Sequence, residues 1–246
     1  MPPTAWIALA LSAALTAALA RKDPSESTVA QPRADESGRE RHAELIGRVR
    51  ASRPSSVVFI GDSITQGWEQ DGRELWAERF APLGAVNLGA GGDRTEHVLW
   101  RLREAPIGPL EPEVVVVMIG TNNVGHRRDG AAGTLAGVRA VVDLVLSQAP
   151  RATVVLCAIF PRGAQMNPMR GELLQVNQAL LRAYPPGDAS SRVRFVDLGD
   201  RLIDPDGSIP TSLMPDGLHL SPAGYKVWAD ALMPEMRRPE RPAAQK

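Results

Sequence analysis

The sequence predicts an α/β protein, a three-layer α/β/α sandwich around a doubly wound, five-stranded parallel sheet. Five apolar runs of strand length recur along the chain, and each is followed by a segment with room for a crossover helix. Regular alternation of strand and helix is typical of a parallel sheet covered on both faces. The runs begin near Val57, Ala85, Val114, Thr153 and Val193.

Two of these runs indicate where their strands lie in the sheet. Residues 114–119 read Val-Val-Val-Val-Met-Ile and carry no polar side chain, which predicts a central strand buried on both faces. Residues 193–198 alternate, with Arg194 and Asp197 between apolar positions. That pattern predicts an edge strand.

The helices are predicted from apolar residues at helical spacing. Ser221 followed by Pro222 is a favourable start, because Ser caps a helix and Pro suits its first position. A short amphipathic helix at 41–52 is expected to lead into the first strand. The other predicted helices cover residues 131–148, 173–183 and 222–233.

The ends of the chain differ in composition from its centre. Residues 1–20 contain no charged side chain and end in Ala-Leu-Ala, which predicts a signal peptide and export to the periplasm or medium. The apolar run is about 15 residues, short of the roughly 20 that a membrane span needs, and an uncleaved anchor is the alternative. We predict a disordered linker at residues 21–40, a single domain at residues 41–236 and a flexible tail at residues 237–246.

Composition excludes several classes of function. The 28 basic and 28 acidic side chains balance, so no long-range field attracts nucleic acid or an anionic membrane. The single cysteine, Cys157, lies in an apolar run, which predicts a buried, inert thiol. Because no Cys/His cluster has metal-ligand spacing, neither a metal nor another cofactor is expected. The expected partner is a small molecule rather than nucleic acid or a membrane, and a homodimer is left open.

A serine follows the first predicted strand directly, in Gly-Asp-Ser-Ile at 61–64. Ligands of doubly wound sheets bind outside the carboxyl ends of the strands, which is where Ser63 would lie. The simpler interpretation is that this Ser caps the next helix. It does not sit in a Gly-x-Ser-x-Gly motif, so the α/β-hydrolase fold is not the template.

A histidine and an acid near the other end could activate that serine. Asp216 precedes His219 by three residues, in an irregular segment between Pro215 and Ser221. In a tight turn the carboxylate can accept the Nδ1–H of the imidazole, which leaves Nε2 to face Ser63. The alternative is a turn residue beside a surface histidine.

Two further positions could stabilise a negative oxygen. Gly92 follows the second predicted strand and Asn122 the third, so both emerge at the same sheet edge as Ser63. Backbone N–H groups and a side-chain amide can together bind the oxygen of a tetrahedral intermediate. Taken singly, Gly92 could be a turn glycine with positive φ, and Asn122 an Asx-turn or a helix cap.

Together these segments resemble the SGNH (GDSL) hydrolase superfamily, and within it the branch of the platelet-activating-factor acetylhydrolase catalytic subunits. The resemblance extends from about Arg41 to Pro234. It rests on Val-Val-Phe-Ile-Gly-Asp-Ser-Ile-Thr at 57–65, Asn-Leu-Gly-Ala-Gly-Gly-Asp at 87–93, His-Val-Leu-Trp-Arg-Leu at 97–102, Gly-Thr-Asn-Asn at 120–123, Phe-Pro-Arg-Gly at 160–163 and Asp-Gly-Leu-His-Leu-Ser at 216–221.

The resemblance implies a flavodoxin-like sheet and assigns roles residue by residue. Ser63 becomes the nucleophile, His219 the base and Asp216 the acid that orients it. The backbone N–H groups of Ser63 and Gly92 and the side chain of Asn122 become the oxyanion hole. Most of the superfamily has Asp where this chain has Asn123, and the acetylhydrolase-like branch shares the Asn.

The expected activity is that of a metal-independent serine esterase, which cleaves short-chain, acetyl-type O-acyl esters of carbohydrates. The loops after the strands are short, so no lid or deep tunnel for a long acyl chain is expected. An acetyl-phospholipid or lysophospholipid hydrolase is the alternative. A non-catalytic carbohydrate-binding domain is the alternative from another class.

Overall fold

Five parallel strands form one sheet in the computed structural model, which describes residues 26–127, 129–188 and 190–236. Their order across the sheet is β2–β1–β3–β4–β5, and every neighbouring pair is parallel. The predicted fold class is confirmed, with the 114–119 run at the centre and the 193–198 run at an edge. The strands are β1 (Val57–Gly61), β2 (Val86–Gly89), β3 (Val114–Met118), β4 (Thr153–Cys157) and β5 (Val193–Val196).

Helices cover both faces of this sheet. The α-helices are α1 (Glu36–Ala51), α2 (Ser63–Gln66), α3 (Arg73–Leu75), α4 (Thr95–Glu104), α5 (Gly130–Gln148), α6 (Pro168–Ala183) and α7 (Pro222–Leu232). Single 3₁₀ turns lie at Glu26–Thr28, Gly67–Glu69, Ala81–Leu83, Gly108–Leu110, Gly199–Leu202 and Met233–Met236, and π-helical turns at Trp76–Phe80 and Asn123–Arg127.

Helix ends follow local capping chemistry. The Ser221 hydroxyl accepts the N–H of Gly224 at 3.2 Å, as the sequence predicts for the start of α7. In α6 the Asn167 side chain accepts the N–H of Arg170, and Pro168 occupies the first turn. That cap starts the helix five residues before the predicted 173, because apolar spacing alone does not reveal a polar first turn.

Alternate strand residues point to opposite faces of the sheet, so each face has its own apolar core. On one face Val58 and Ile60 of β1 pack with α1, α4, α5 and α6. On the other, Val57 and Phe59 pack with α7 and with the segment that follows Ser63. The one described helix long and apolar enough to cross a membrane is α5, whose Val-rich face is buried in the first core.

An aromatic cluster fills the second core beneath the start of α2. The ring of Phe59 lies 5.0 Å from that of Phe80 and 6.3 Å from that of Trp68, both nearly perpendicular to it. Trp228 of α7 donates its indole N–H to the sulfur of Cys157 at 3.4 Å. Burial raises the pKa of that thiol to about 12, so Cys157 stays protonated and inert. The turn from β1 into α2 therefore lies against a closely packed aromatic core.

The predicted disordered linker at 21–40 is wrong over residues 26–40. This stretch contains the 3₁₀ turn Glu26–Thr28 and the start of α1, whose N-cap Asp35 accepts the N–H of Gly38 at 2.8 Å. Ser27 is fully buried. The prediction from composition failed here because polar residues that form hydrogen bonds with the domain cannot be distinguished in sequence from polar residues that are solvated. The predicted signal peptide at 1–20 and the tail at 237–246 lie outside the described residues.

Candidate active site

Ser63 is the first residue of α2, at the carboxyl end of the buried strand β1. Asp62 forms the N-cap, and its carboxylate accepts the N–H of Ile64 at 3.0 Å. The abrupt change from strand to helix turns the Ser63 side chain out of the sheet. Because β1 lies between β2 and β3, the loops after those two strands flank the hydroxyl on either side.

His219 and Asp216 meet Ser63 from the loop before α7. Nε2 of His219 lies 2.9 Å from Oγ of Ser63, and its Nδ1 lies 2.6 Å from Oδ2 of Asp216. The other oxygen of Asp216 accepts the N–H groups of Leu218 and His219 at 2.9 and 2.7 Å. Gly217 makes the turn possible with φ of 69°. Two hydrogen bonds through the imidazole thus link the three side chains.

The ionisation of Asp216 follows from these contacts. Partial desolvation acts to raise its pKa, but the backbone N–H and the side chain of His219 outweigh it and lower the pKa to about 2. The carboxylate is therefore charged near neutral pH, and an imidazole that donates Nδ1–H to it presents Nε2 as the acceptor for the Ser63 hydroxyl.

The loops after β2 and β3 bring Gly92 and Asn122 together. Gly92 has φ of 74°, a conformation that other residues rarely adopt. The amide of Asn122 is buried and donates one N–H to the backbone carbonyl of Asp93 at 2.9 Å, next to Gly92 in the chain. A primary amide has two N–H donors, and one bond from Asn122 is seen within the described part of the chain. The Gly91 N–H is held by Oε1 of Gln66 at 2.7 Å.

A buried charge network under this loop was not predicted from the sequence. The Asp93 carboxylate is fully buried and accepts from Nε of Arg101 at 2.9 Å and from Nε2 of His42 at 2.8 Å. Desolvation acts to raise its pKa, but the charge of Arg101 and the bond from His42 hold the pKa below its ordinary value. The signal that could have indicated this site was the acid directly after the glycine pair.

Two other polar residues pack beside these loops. His97 of α4 is buried, and burial lowers its pKa to about 4. Asn123, which departs from the common superfamily pattern, links the start of α4 to the residue before α5. Its side chain accepts the N–H of Thr95 at 3.1 Å and donates to Asp129 at 2.9 Å. An amide can do both, whereas a carboxylate could only accept.

A cavity of about 160 Å³ opens beside Ser63 and His219. Its outer wall comes from the turn after α2, where Gln70 and Asp71 are exposed. Among the described residues that line it, His219 is the one basic side chain. The lining residues are Ser63, Gln66, Gly67, Gln70, Asp71, His219, Leu220 and Tyr225.

A hydroxyl within hydrogen-bond reach of an imidazole, at the carboxyl edge of a doubly wound sheet, is an arrangement suited to an ester hydrolase of α/β/α architecture. The family can be named as well. Residues 59–227 match the GDSL-like lipase/acylhydrolase family, and the chain belongs to it. It is an ester hydrolase of the GDSL type, and the resemblance drawn from the sequence motifs is confirmed.

Individual relatives agree with this assignment. The human platelet-activating factor acetylhydrolase IB subunit alpha1 is 44% identical over 169 residues, 69% of this chain and 70% of the relative. A GDSL-like lipase from Bacteroides thetaiotaomicron shares the fold with a TM-score of 0.65 at 19% identity, covering 79% of this chain and 96% of its own. An acetylxylan esterase from Geobacillus stearothermophilus does so with a TM-score of 0.57 at 23% identity, covering 75% and 95%.

Asp62 should make stability depend on pH. It is fully buried, and Oδ2 has no hydrogen-bond partner in the part of the chain described. Burial raises its pKa to about 7. Between pH 4 and 7 the unfolded chain releases this proton while the folded chain keeps it, so stability falls as pH rises through that window.

Asp62→Asn removes the titration but keeps an oxygen for the Ile64 N–H. The free energy of unfolding of the variant minus that of the wild type should rise by roughly 3–4 kcal/mol between pH 4 and pH 8. One unit of pKa shift corresponds to about 1.4 kcal/mol. Urea unfolding at each pH measures the gap, and other titrating groups cancel in the difference. A gap that does not change with pH would contradict the assignment.

Proposed function

We propose that this chain hydrolyses short-chain, acetyl-type O-acyl esters of carbohydrates, with Ser63 as nucleophile, His219 as general base and Asp216 as the orienting acid. The observation that carries the proposal is the pair of hydrogen bonds through one imidazole, 2.9 Å to Ser63 and 2.6 Å to Asp216. A serine hydroxyl is a weak nucleophile until an adjacent base takes its proton, and this arrangement supplies one.

The reaction proceeds in two steps through an acyl-enzyme. Oγ of Ser63 attacks the ester carbonyl carbon as its proton passes to Nε2 of His219. The bond to the alcohol then breaks, and the alcohol leaves with that proton. Water next attacks the acyl carbon, gives a proton to Nε2, and releases the acid while Ser63 recovers its proton. The charged Asp216 stabilises the imidazolium in both steps.

Negative charge on the carbonyl oxygen needs donors already in place. The N–H groups of Ser63 and Gly92 and the amide of Asn122 are the proposed oxyanion hole. The contact of Asn122 with the Asp93 carbonyl and the bond from Gly91 to Gln66 support it, because both restrain the donors before substrate binds. Donors that need not reorganise are worth most in the transition state.

The cavity beside His219 indicates the kind of alcohol. The leaving oxygen must lie within reach of Nε2, so the alcohol occupies the space next to His219. The amides of Gln66 and Gln70 and the carboxylate of Asp71 can bond several hydroxyls there. At about 160 Å³ the cavity is a small space, which suits one sugar ring.

Packing of the loop before α7 supports a short acyl group. An apolar wall around a long acyl chain could come from the apolar residues of this loop. Ile209 and Met214 are instead buried in the second core and are therefore not free to line a tunnel beside Ser63. Leu220 is buried there too, and it contributes to the small cavity beside His219.

An acetylated phospholipid is the second candidate. The 44% identity to a human platelet-activating factor acetylhydrolase subunit favours it. The cavity favours the carbohydrate, because Asp71 would repel a phosphate and the described lining offers no Arg or Lys to bind one.

The three side chains should act as one unit. Ser63→Ala and His219→Ala should each lower kcat by roughly 10⁴-fold or more, and the double variant should be hardly worse, because both serve one step. Asp216→Asn should be severe but less than total. Single-turnover assays with p-nitrophenyl acetate and labelling of Ser63 by a serine-directed phosphonate measure this. Losses that multiply in the double variant would overturn the assignment.

Asn122→Ala should lower kcat by roughly 10²–10³-fold with little change in KM. The amide binds the developing oxyanion more strongly than the ground-state carbonyl, so its loss falls on the transition state. Steady-state kinetics with p-nitrophenyl acetate separate the two constants. A higher KM with unchanged kcat would instead make Asn122 a substrate-binding residue.

Substrate length should limit turnover. The value of kcat/KM for p-nitrophenyl esters should fall steeply from acetate to octanoate and be negligible for palmitate, since added methylenes find no apolar surface to bury. Acetylated sugars should be better substrates than acetylated phospholipids. Equal turnover of long-chain esters would contradict the acyl assignment, and preference for the phospholipid would favour the second candidate.

A further inference from the structure

Arg33 contacts the active-site loop from outside the region that matches the family, residues 59–227. Its Nη1 donates to the carbonyl of Gly91 at 2.5 Å, and its side chain is only 15% exposed. A Cβ placed on Gly92 would lie 2.9 Å from Nη1 and 3.0 Å from Nη2. The guanidinium therefore lies in contact with the peptide that joins Gly91 to Gly92.

That contact fixes the direction of one N–H group. No peptide bond is cis in the part of the chain described. In a trans peptide the C=O and the N–H point in opposite directions, so a carbonyl held by Arg33 directs the Gly92 N–H away from Arg33. The peptide between two glycines would otherwise rotate readily, because neither residue has a Cβ to restrict it.

Arg33 is itself held in place. Its Nε donates to Asp35 at 2.8 Å, and Nη1 lies 3.4 Å from the buried carboxylate of Asp93. We call residues 26–35 the N-terminal strap. The Ser27 hydroxyl donates to Asp129 at 2.7 Å, and the Ser27 carbonyl accepts from Thr95 at 2.8 Å. The strap thus contacts the loop at 89–94 and the ends of both loops that carry the proposed oxyanion donors.

We propose that Arg33 is a positioning residue for the oxyanion hole, which the N-terminal strap completes from outside the family domain. The inference rests on the proposed function of Gly92. A charge-assisted bond to the Gly91 carbonyl holds the peptide in the active orientation. It also polarises that peptide, which makes the Gly92 N–H a better donor to a negative oxygen.

The positioning role of Arg33 can be tested by measuring the kinetics of the Arg33→Ala variant of the full chain with p-nitrophenyl acetate. We expect kcat to fall by roughly 10–10²-fold with KM nearly unchanged, less than the loss of a whole donor, because the N–H is misdirected part of the time. Arg48→Ala is the matched control. Arg48 also bonds a backbone carbonyl, that of Asn87 at 2.8 Å, and a carboxylate, but not the loop at 91–92. Its kcat should stay within twofold of the wild type.

Rescue separates positioning from general support of the fold. Millimolar guanidinium ion should restore part of the kcat of Arg33→Ala and leave Arg48→Ala unchanged, and Arg33→Lys should fall between the wild type and Arg33→Ala. Unchanged kcat in Arg33→Ala, an effect on KM alone, an equal loss in Arg48→Ala or an absence of rescue would each overturn the inference. A wild-type chain that neither turns over esters nor is labelled at Ser63 would instead refute the proposed function.

Discussion

The buried carboxylate of Asp93 is the constraint on which the active-site edge depends. Its side chain binds Arg101 and His42 on two helices, and its backbone carbonyl accepts from Asn122. An unpaired charge in this position would be very unfavourable, and removing one partner of a buried pair costs about 3–5 kcal/mol. The network thus stabilises one conformation of the loop after β2. The loop after β3 is restrained in turn, because Asn122 donates a hydrogen bond to the Asp93 carbonyl.

Sheet topology explains why these contacts surround Ser63. The chain crosses from β1 to β2 on one side and returns to β3 on the other, so β1 lies at the point where the strand order reverses. Crevices of doubly wound sheets open at such points. Gly92 and Asn122 therefore follow the strands on either side of β1. The loop with His219 approaches the same edge of the sheet, where Nε2 meets the Ser63 hydroxyl.

Sequence patterns predicted the features that repeat or that sit at strand ends. Each strand was visible as an apolar run, and Ser63, Gly92 and Asn122 followed from their places after those runs. The pairing of His219 with Asp216 followed from a spacing of three residues. The roles of Arg33, His42 and Ser27 could not be predicted, since their partners lie roughly 50 to 100 positions away in the chain. Long-range polar pairs leave no periodic trace, and a charged segment without apolar residues has the composition of a disordered one.

Two aspartates close to Ser63 show how position sets charge. Asp62 is adjacent in sequence and fully buried, and burial raises its pKa to about 7. The Asp216 side chain is 54% exposed, and although desolvation acts in the opposite direction, bonds from His219 and Leu218 lower its pKa to about 2. Environment alone separates the two acids. The acid that caps α2 therefore keeps its proton over a pH range in which the acid beside His219 is charged. The charged Asp216 accepts from Nδ1 of the imidazole at 2.6 Å, which leaves Nε2 to face the serine.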